Sequence, residues 1–170
     1  MTSFVALLRA VNVGGTGKLP MSDLKDICEQ LGFGTVRTYI ASGNVVFTSR
    51  KPEAAIRAAL EQRLEAHAGK PIGVLVRTAA EMAQVLADNP FPKAAPNRTM
   101  AVFLDRAPPA DTLTSIRCRK DEEIRLGRRE IYIHYSQGMA ASKLVIAAAK
   151  SGTARNMNTV ATLARMAAES

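Results

Sequence analysis

The run Phe4-Val5-Ala6-Leu7-Leu8 is apolar at every position. Alternate side chains of a strand point to opposite faces, so Phe4, Ala6 and Leu8 share one face while Val5, Leu7, Arg9 and Val11 share the other. A strand over residues 3–11 with two apolar faces belongs in the middle of a sheet and must be covered on both sides. The second face has to be covered by another part of the chain or by a second molecule. Arg9 interrupts that face, and a lone arginine there must find carboxylate, carbonyl or ligand oxygens.

The segments after the first strand set the element order. Pro20 suits a helix start and Gly32 its end, which predicts helix one over about 20–31. Strand two covers about 35–41. Ser42-Gly43-Asn44 makes a tight turn into strand three at about 44–48. Pro52 opens helix two, whose Ile56, Leu60 and Leu64 form one stripe, and 72–77 is strand four. The order is βαββαβ, the split-βαβ or ferredoxin-like arrangement, in which two helices pack on one face of a four-stranded antiparallel sheet.

Thr78-Ala79-Ala80-Glu81 reads as a capping box for a third helix with Met82, Val85 and Leu86 on its buried stripe. Asn89-Pro90-Phe91-Pro92 stops that helix, and residues through Asn97 complete a linker. The second half is expected to run as a strand at 99–104, a short helix near 108–117, and a hairpin of 122–126 and 130–135. Helices over about 139–150 and 158–168 close it. That is βαββα with no clear fourth strand. The predicted fold class is therefore α+β: two ferredoxin-like halves, antiparallel sheets with helices packed on one face. The boundaries are 1–88 for the first half with its connecting helix and 98–170 for the second with its C-terminal helices.

Charge narrows the partners. The formal net charge is +8 over 170 residues, which favours an anionic small molecule or nucleic acid. An RNA-binding sheet needs several stacking aromatics on its central strands, and only Phe4 and Phe47 occupy such places. Cys28 falls in an apolar helical series and reads as a core thiol; Cys118 stands among basic residues without an identifiable base. Neither a zinc pattern nor a Ser/His/Asp constellation can be assembled from local spacing, and no cofactor is implied. His67 lies in the last turn of helix two, where free carbonyls are at hand, and His134 lies on a strand facing the same side as Tyr132. No stretch resembles a signal peptide, and no apolar run approaches the roughly 18 residues that span a bilayer. A cytoplasmic protein without a membrane partner is the expectation.

Two clusters carry chemistry suited to a ligand. Gly14-Gly15-Thr16-Gly17-Lys18, between a strand and a helix, departs from a Walker A loop because Asn12 and Leu19 hold the places of its first Gly and its Ser or Thr. Gly17-Lys18 still suits an anion nest. The second cluster, Arg155-Asn156 with Asn158-Thr159, precedes the last helix, where Asn156 or Asn158 suits the cap and Arg155 suits a phosphate or carboxylate.

Several short stretches, in order along essentially the whole chain, are similar to the bacterial family called domain of unknown function 1697. They are Ala6-Leu7-Leu8-Arg9, Asn12-Val13-Gly14-Gly15, Lys18-Leu19-Pro20-Met21, Tyr39 through Phe47, Val74 through Thr78, Asn89-Pro90-Phe91, Ser142-Lys143-Leu144, and Arg155-Asn156 with Asn158-Thr159. The family pattern commonly has Gly where Ala10 stands, Thr where Ala154 stands and Trp where Met157 stands. The resemblance implies two ferredoxin-like halves and no established activity, so it transfers no catalytic residue.

Three functions stay open on the residues alone. The first is a small anion, nucleotide or nucleic-acid phosphate bound in a basic cleft between halves by Arg9, Asn12, Gly15, Lys18, Ser42, Asn44, Arg155 and Asn158. The second is an enzyme acting on a phosphorylated or carboxylated metabolite. The third is a scaffold homodimer.

Overall fold

The computed structural model describes residues 1–12 and 18–169. Two compact units emerge, Met1–Ala83 with Leu163–Ser170, and Gln84–Thr162.

The first unit opens with β1 (Thr2–Leu8), then α1 (Met21–Gln30), β2 (Gly34–Thr38), β3 (Asn44–Ser49), α2 (Glu53–Ala68) and β4 (Val74–Thr78). Its sheet order is β2-β3-β1-β4 with every neighbour antiparallel, the ferredoxin-like arrangement. As its two apolar faces require, β1 is central, and Val5, Ala6, Leu7 and Leu8 are all fully buried. One face carries Phe4, Ala6, Leu8, Val45, Phe47, Val74 and Val76 against Leu24, Ile27 and Cys28 of α1 and Ile56, Leu60 and Leu64 of α2. These spacings of three and four residues put one side of each helix on the sheet. Helix α2 ends where Gly69 adopts φ 75° and donates its N–H to Glu65 O. Glycine alone takes that left-handed cap without strain.

On the opposite face lie Val5, Leu7, Val46, Leu75 and Arg77, all buried. Arg37 of β2 holds the end of the chain to this unit. Its Nη2 donates to Met166 O at 2.5 Å, and Nη1 stands 3.6 Å from the Glu169 carboxylate.

Two helices complete the described set, α3 (Ala79–Ala87) and α4 (Met157–Ala168), and each contains a boundary between units. The expected capping box starts α3. Thr78 N–H donates to Glu81 Oε1 at 2.9 Å, and Glu81 N–H donates to Thr78 Oγ1 at 3.1 Å.

The second unit holds β5 (Thr99–Phe103), β6 (Glu123–Leu126), β7 (Glu130–His134) and β8 (Thr153–Asn156), ordered β6-β7-β5-β8. Its strand order repeats that of the first unit. Val102, Ile124, Ile131, Ile133 and Ile146 form its core, with Leu144, Ala148 and Ala149 packed on them. The fold class is α+β, two four-stranded antiparallel sheets with four α-helices among the described residues.

Three local expectations fail in the second unit. No α-helix forms at 108–117, because Thr112, Thr114 and Ser115 turn their hydroxyls onto the carbonyls of Pro109 and Asp111 and close separate turns. The Ala-rich stretch at 139–150 is not an α-helix either. It forms short 3-10 turns at Met139–Ala141 and Ala147–Ser151 with extended chain between them. Finally, the sheet does have a fourth strand, β8, in the short segment before α4. Polar Thr153 and Asn156 disguise it, but β5 recruits it by backbone pairing. Asn156 caps α4, accepting Thr159 N–H at 3.0 Å.

Candidate functional site

Ferredoxin-like topology gathers particular loops. Leu8 at the end of β1 stands opposite Val74 at the start of β4, and Leu7 stands opposite Asn44 at the start of β3. The segment after β1, the β2–β3 turn and the α2–β4 loop therefore meet at one end of the first sheet. Arg9, Asn12, Lys18, Ser42 and Asn44 all lie there.

Three of these are committed to the loops themselves. Asn12 Nδ2 donates to Leu19 O at 2.8 Å and to Ala41 O at 2.7 Å, and its Oδ1 accepts Leu19 N–H at 2.6 Å. One amide thus joins Asn12 to Leu19 and to the β2–β3 turn. Asn44 is fully buried and donates to Tyr39 O and Ser42 Oγ, each at 2.9 Å. Gly43 sits between them at φ 88°, and a Cβ there would fall 2.7 Å from Val11 Cγ2 and 2.9 Å from Leu8 Cβ. Only glycine lets that turn close onto β1. Ala10 and Asn12 also take positive φ, 52° and 57°. Glycine would take the backbone at position 10 without strain.

Arg9 and Lys18 line one cavity of about 540 Å³, together with His67 and Lys70 over an apolar floor of Val11, Leu19 and Ile72. None of the residues lining it is acidic. The Arg9 stem crosses Gly73, whose missing side chain leaves room for it, and Arg9 N–H donates to Gly73 O at 2.9 Å. His67 Nε2 stands 3.2 Å from Asp23 Oδ2 on α1, so its partner is a neighbouring helix's carboxylate rather than its own helix's carbonyls. Lys70 follows the Gly69 cap. No local signal marks Lys70 or His67 as companions of Arg9; the β1–β4 adjacency does. Gly15, also a candidate, lies outside the described residues.

Arg155 and Asn158 belong to the second unit. Arg155, on β8 opposite Ala101, is 6% exposed, and its Nη1 donates to Thr153 Oγ1 at 2.7 Å and Ala154 O at 3.0 Å. Burial lowers its pKa to about 10. Asn158 is exposed on the first turn of α4. His134 has its Nδ1 3.2 Å from Thr99 Oγ1, with the Phe91 ring 6.0 Å away. Among the described residues no group of three His, Cys, Asp or Glu could hold a metal ion, and no helix is long and apolar enough to cross a membrane.

The fold and cavity define an α+β protein with two antiparallel sheets and a cation-lined pocket at one end of the first. The chain belongs to the family described as Protein of unknown function (DUF1697), whose pattern matches residues 1–132. Comparison with curated proteins gives no match. Among solved structures, the conserved bacterial protein SP0830 from Streptococcus pneumoniae is similar, 24% identical over 98% of each chain with a TM-score of 0.80. That similarity carries the fold alone.

Proposed function

We propose that the chain binds a small anion, the phosphate or carboxylate group of a metabolite or nucleotide, in the cavity at the end of the first sheet. The supporting observation is its composition: Arg9, Lys18 and Lys70 with no carboxylate among the lining residues, His67 at its edge facing Asp23 on α1. The floor of Val11, Leu19 and Ile72 receives the apolar part of a ligand, while the cations neutralise its charged end. A volume of about 540 Å³ suits a small molecule.

Calorimetric titration with inorganic phosphate and with a nucleoside monophosphate tests the reading. Lys18 and Lys70 are exposed, so alanine at either is expected to cost about 1 kcal/mol, about a fivefold loss of affinity. Added salt is expected to weaken binding further. Affinity indifferent to both substitutions and to salt refutes the proposal, as does no binding of either probe.

A further inference from the structure

The second unit contains a larger cavity, about 640 Å³, framed by the two crossover segments that take the place of helices. The chain between Met139 and Lys150 is rich in alanine, a strong helix former, yet its centre is extended, with ψ 139° at Ser142 and 112° at Ile146. Specific contacts hold it so. Ser142 Oγ donates to the Glu122 carboxylate and accepts Leu144 N–H at 3.2 Å. Arg117 and Val145 exchange backbone hydrogen bonds of 2.9 and 2.8 Å across the two segments. These contacts outweigh the helix preference of the alanines and leave the cavity open where a helix would have packed.

The charges around this cavity are unlike those of the first. Lys120 and Lys143 line it, and so do Asp121 and Glu122. Among the described residues, no ion pair joins these opposite charges. Each carboxylate accepts hydrogen bonds from other groups instead. Asp121 Oδ2 accepts Ser136 Oγ at 2.8 Å, and Glu122 accepts Lys120 N–H at 2.6 Å as well as the Ser142 hydroxyl. Glu122 is only 4% exposed. Glu122 is thus held in the wall by two hydrogen bonds, while exposed Asp121 has one, from Ser136. A simple anion entering here meets two positive and two negative groups, and gains little net attraction; so does a simple cation. A neutral molecule carrying one charge of each sign satisfies both sets. Tyr135 lines the same cavity and supplies a ring for an apolar body. Burial first, and then Glu122, raises its pKa.

We propose that the second-unit cavity binds a small zwitterion of the α-amino-acid type, its carboxylate on Lys120 and Lys143 and its ammonium beside Asp121 and Glu122. This site is separate from the anion cavity of the first unit, and the two differ as their charge compositions do.

The test uses the full chain labelled with nitrogen-15 and titrated with each of the standard amino acids. At least one is expected to shift the amides of Lys120 to Glu122 and Ser142 to Leu144 in a saturable way. For that amino acid, the deaminated acid and the decarboxylated amine are expected to bind at least about tenfold more weakly, a difference of about 1.4 kcal/mol. Lys143→Ala and Asp121→Asn, both at exposed positions, are expected to weaken it about fivefold with the spectrum otherwise preserved. Lys18→Ala, which addresses the anion cavity, is expected to leave it unchanged. Four results overturn the proposal: no amino acid shifts these amides; the deaminated acid binds as well; Lys143→Ala has no effect; or the shifts map to Arg9 and Lys18. Phosphate binding to the first unit can succeed or fail independently of all four.

Discussion

Replacing Ser142 by alanine removes the two hydrogen bonds that keep the 139–150 segment extended. The acceptor of the first is a charged group that is 96% buried, so losing that bond costs about 1.5–3 kcal/mol. Leu144 N–H then lacks its side-chain acceptor, adding about 0.5–1 kcal/mol, and alanine favours helix over this extended stretch by a few tenths more. The expected loss is about 2–4 kcal/mol at neutral pH. Its pH dependence has a defined sign. The Ser142 hydroxyl is the largest influence holding the Glu122 carboxyl below 4.5, followed by the Lys120 N–H; burial pushes the other way, and Arg119 adds a smaller lowering. A depressed carboxylate pKa stabilises the fold fully above 4.5, and the benefit disappears as pH falls through the native value. In Ser142→Ala that value moves back up, so the gap between wild type and variant narrows in acid. Urea unfolding monitored by circular dichroism across this pH range measures the gap. Hydrogen exchange at Leu144 and Val145 locates it, with faster exchange expected at both. A loss below about 0.5 kcal/mol at neutral pH, or a gap that widens in acid, refutes the reasoning.

Gly73→Ala places a Cβ 2.9 Å from Arg9 Cδ, a flexible stem; phosphate affinity by calorimetry is expected to fall several-fold with little change in melting temperature. Gly43→Ala meets Val11 and Leu8 at φ 88° and is expected to cost about 2–4 kcal/mol by denaturant titration. Ala10→Gly relieves a left-handed alanine at an exposed site and is expected to stabilise by about 0.5–1 kcal/mol, after allowing for the greater freedom of glycine in the unfolded chain. Burial raises the Cys28 thiol to about 12, so a thiol reagent is expected to label exposed Cys118 in the native protein and Cys28 only after unfolding.

Local chemistry was enough to read the first unit. The doubly apolar β1, the stripes of Leu24, Ile27 and Cys28 and of Ile56, Leu60 and Leu64, and the reciprocal Thr78–Glu81 cap each act within a few residues, and their order admits few topologies. Arg9 and Lys18 stood out because charge beside an apolar strand and glycine-rich turn is conspicuous in the chain itself. Lys70 did not, since only the pairing of β1 with β4 brings it to them. In the second unit, tertiary contacts overrode local preference. The alanines of 139–150 favour a helix by a few tenths of a kcal/mol each, while one buried carboxylate bound by Ser142 and one backbone bridge outweigh them. Strand β8 likewise exists because β5 offers an unpaired edge. Short-range periodicity is written along the chain; which polar groups must be satisfied in the interior is decided only when distant segments meet.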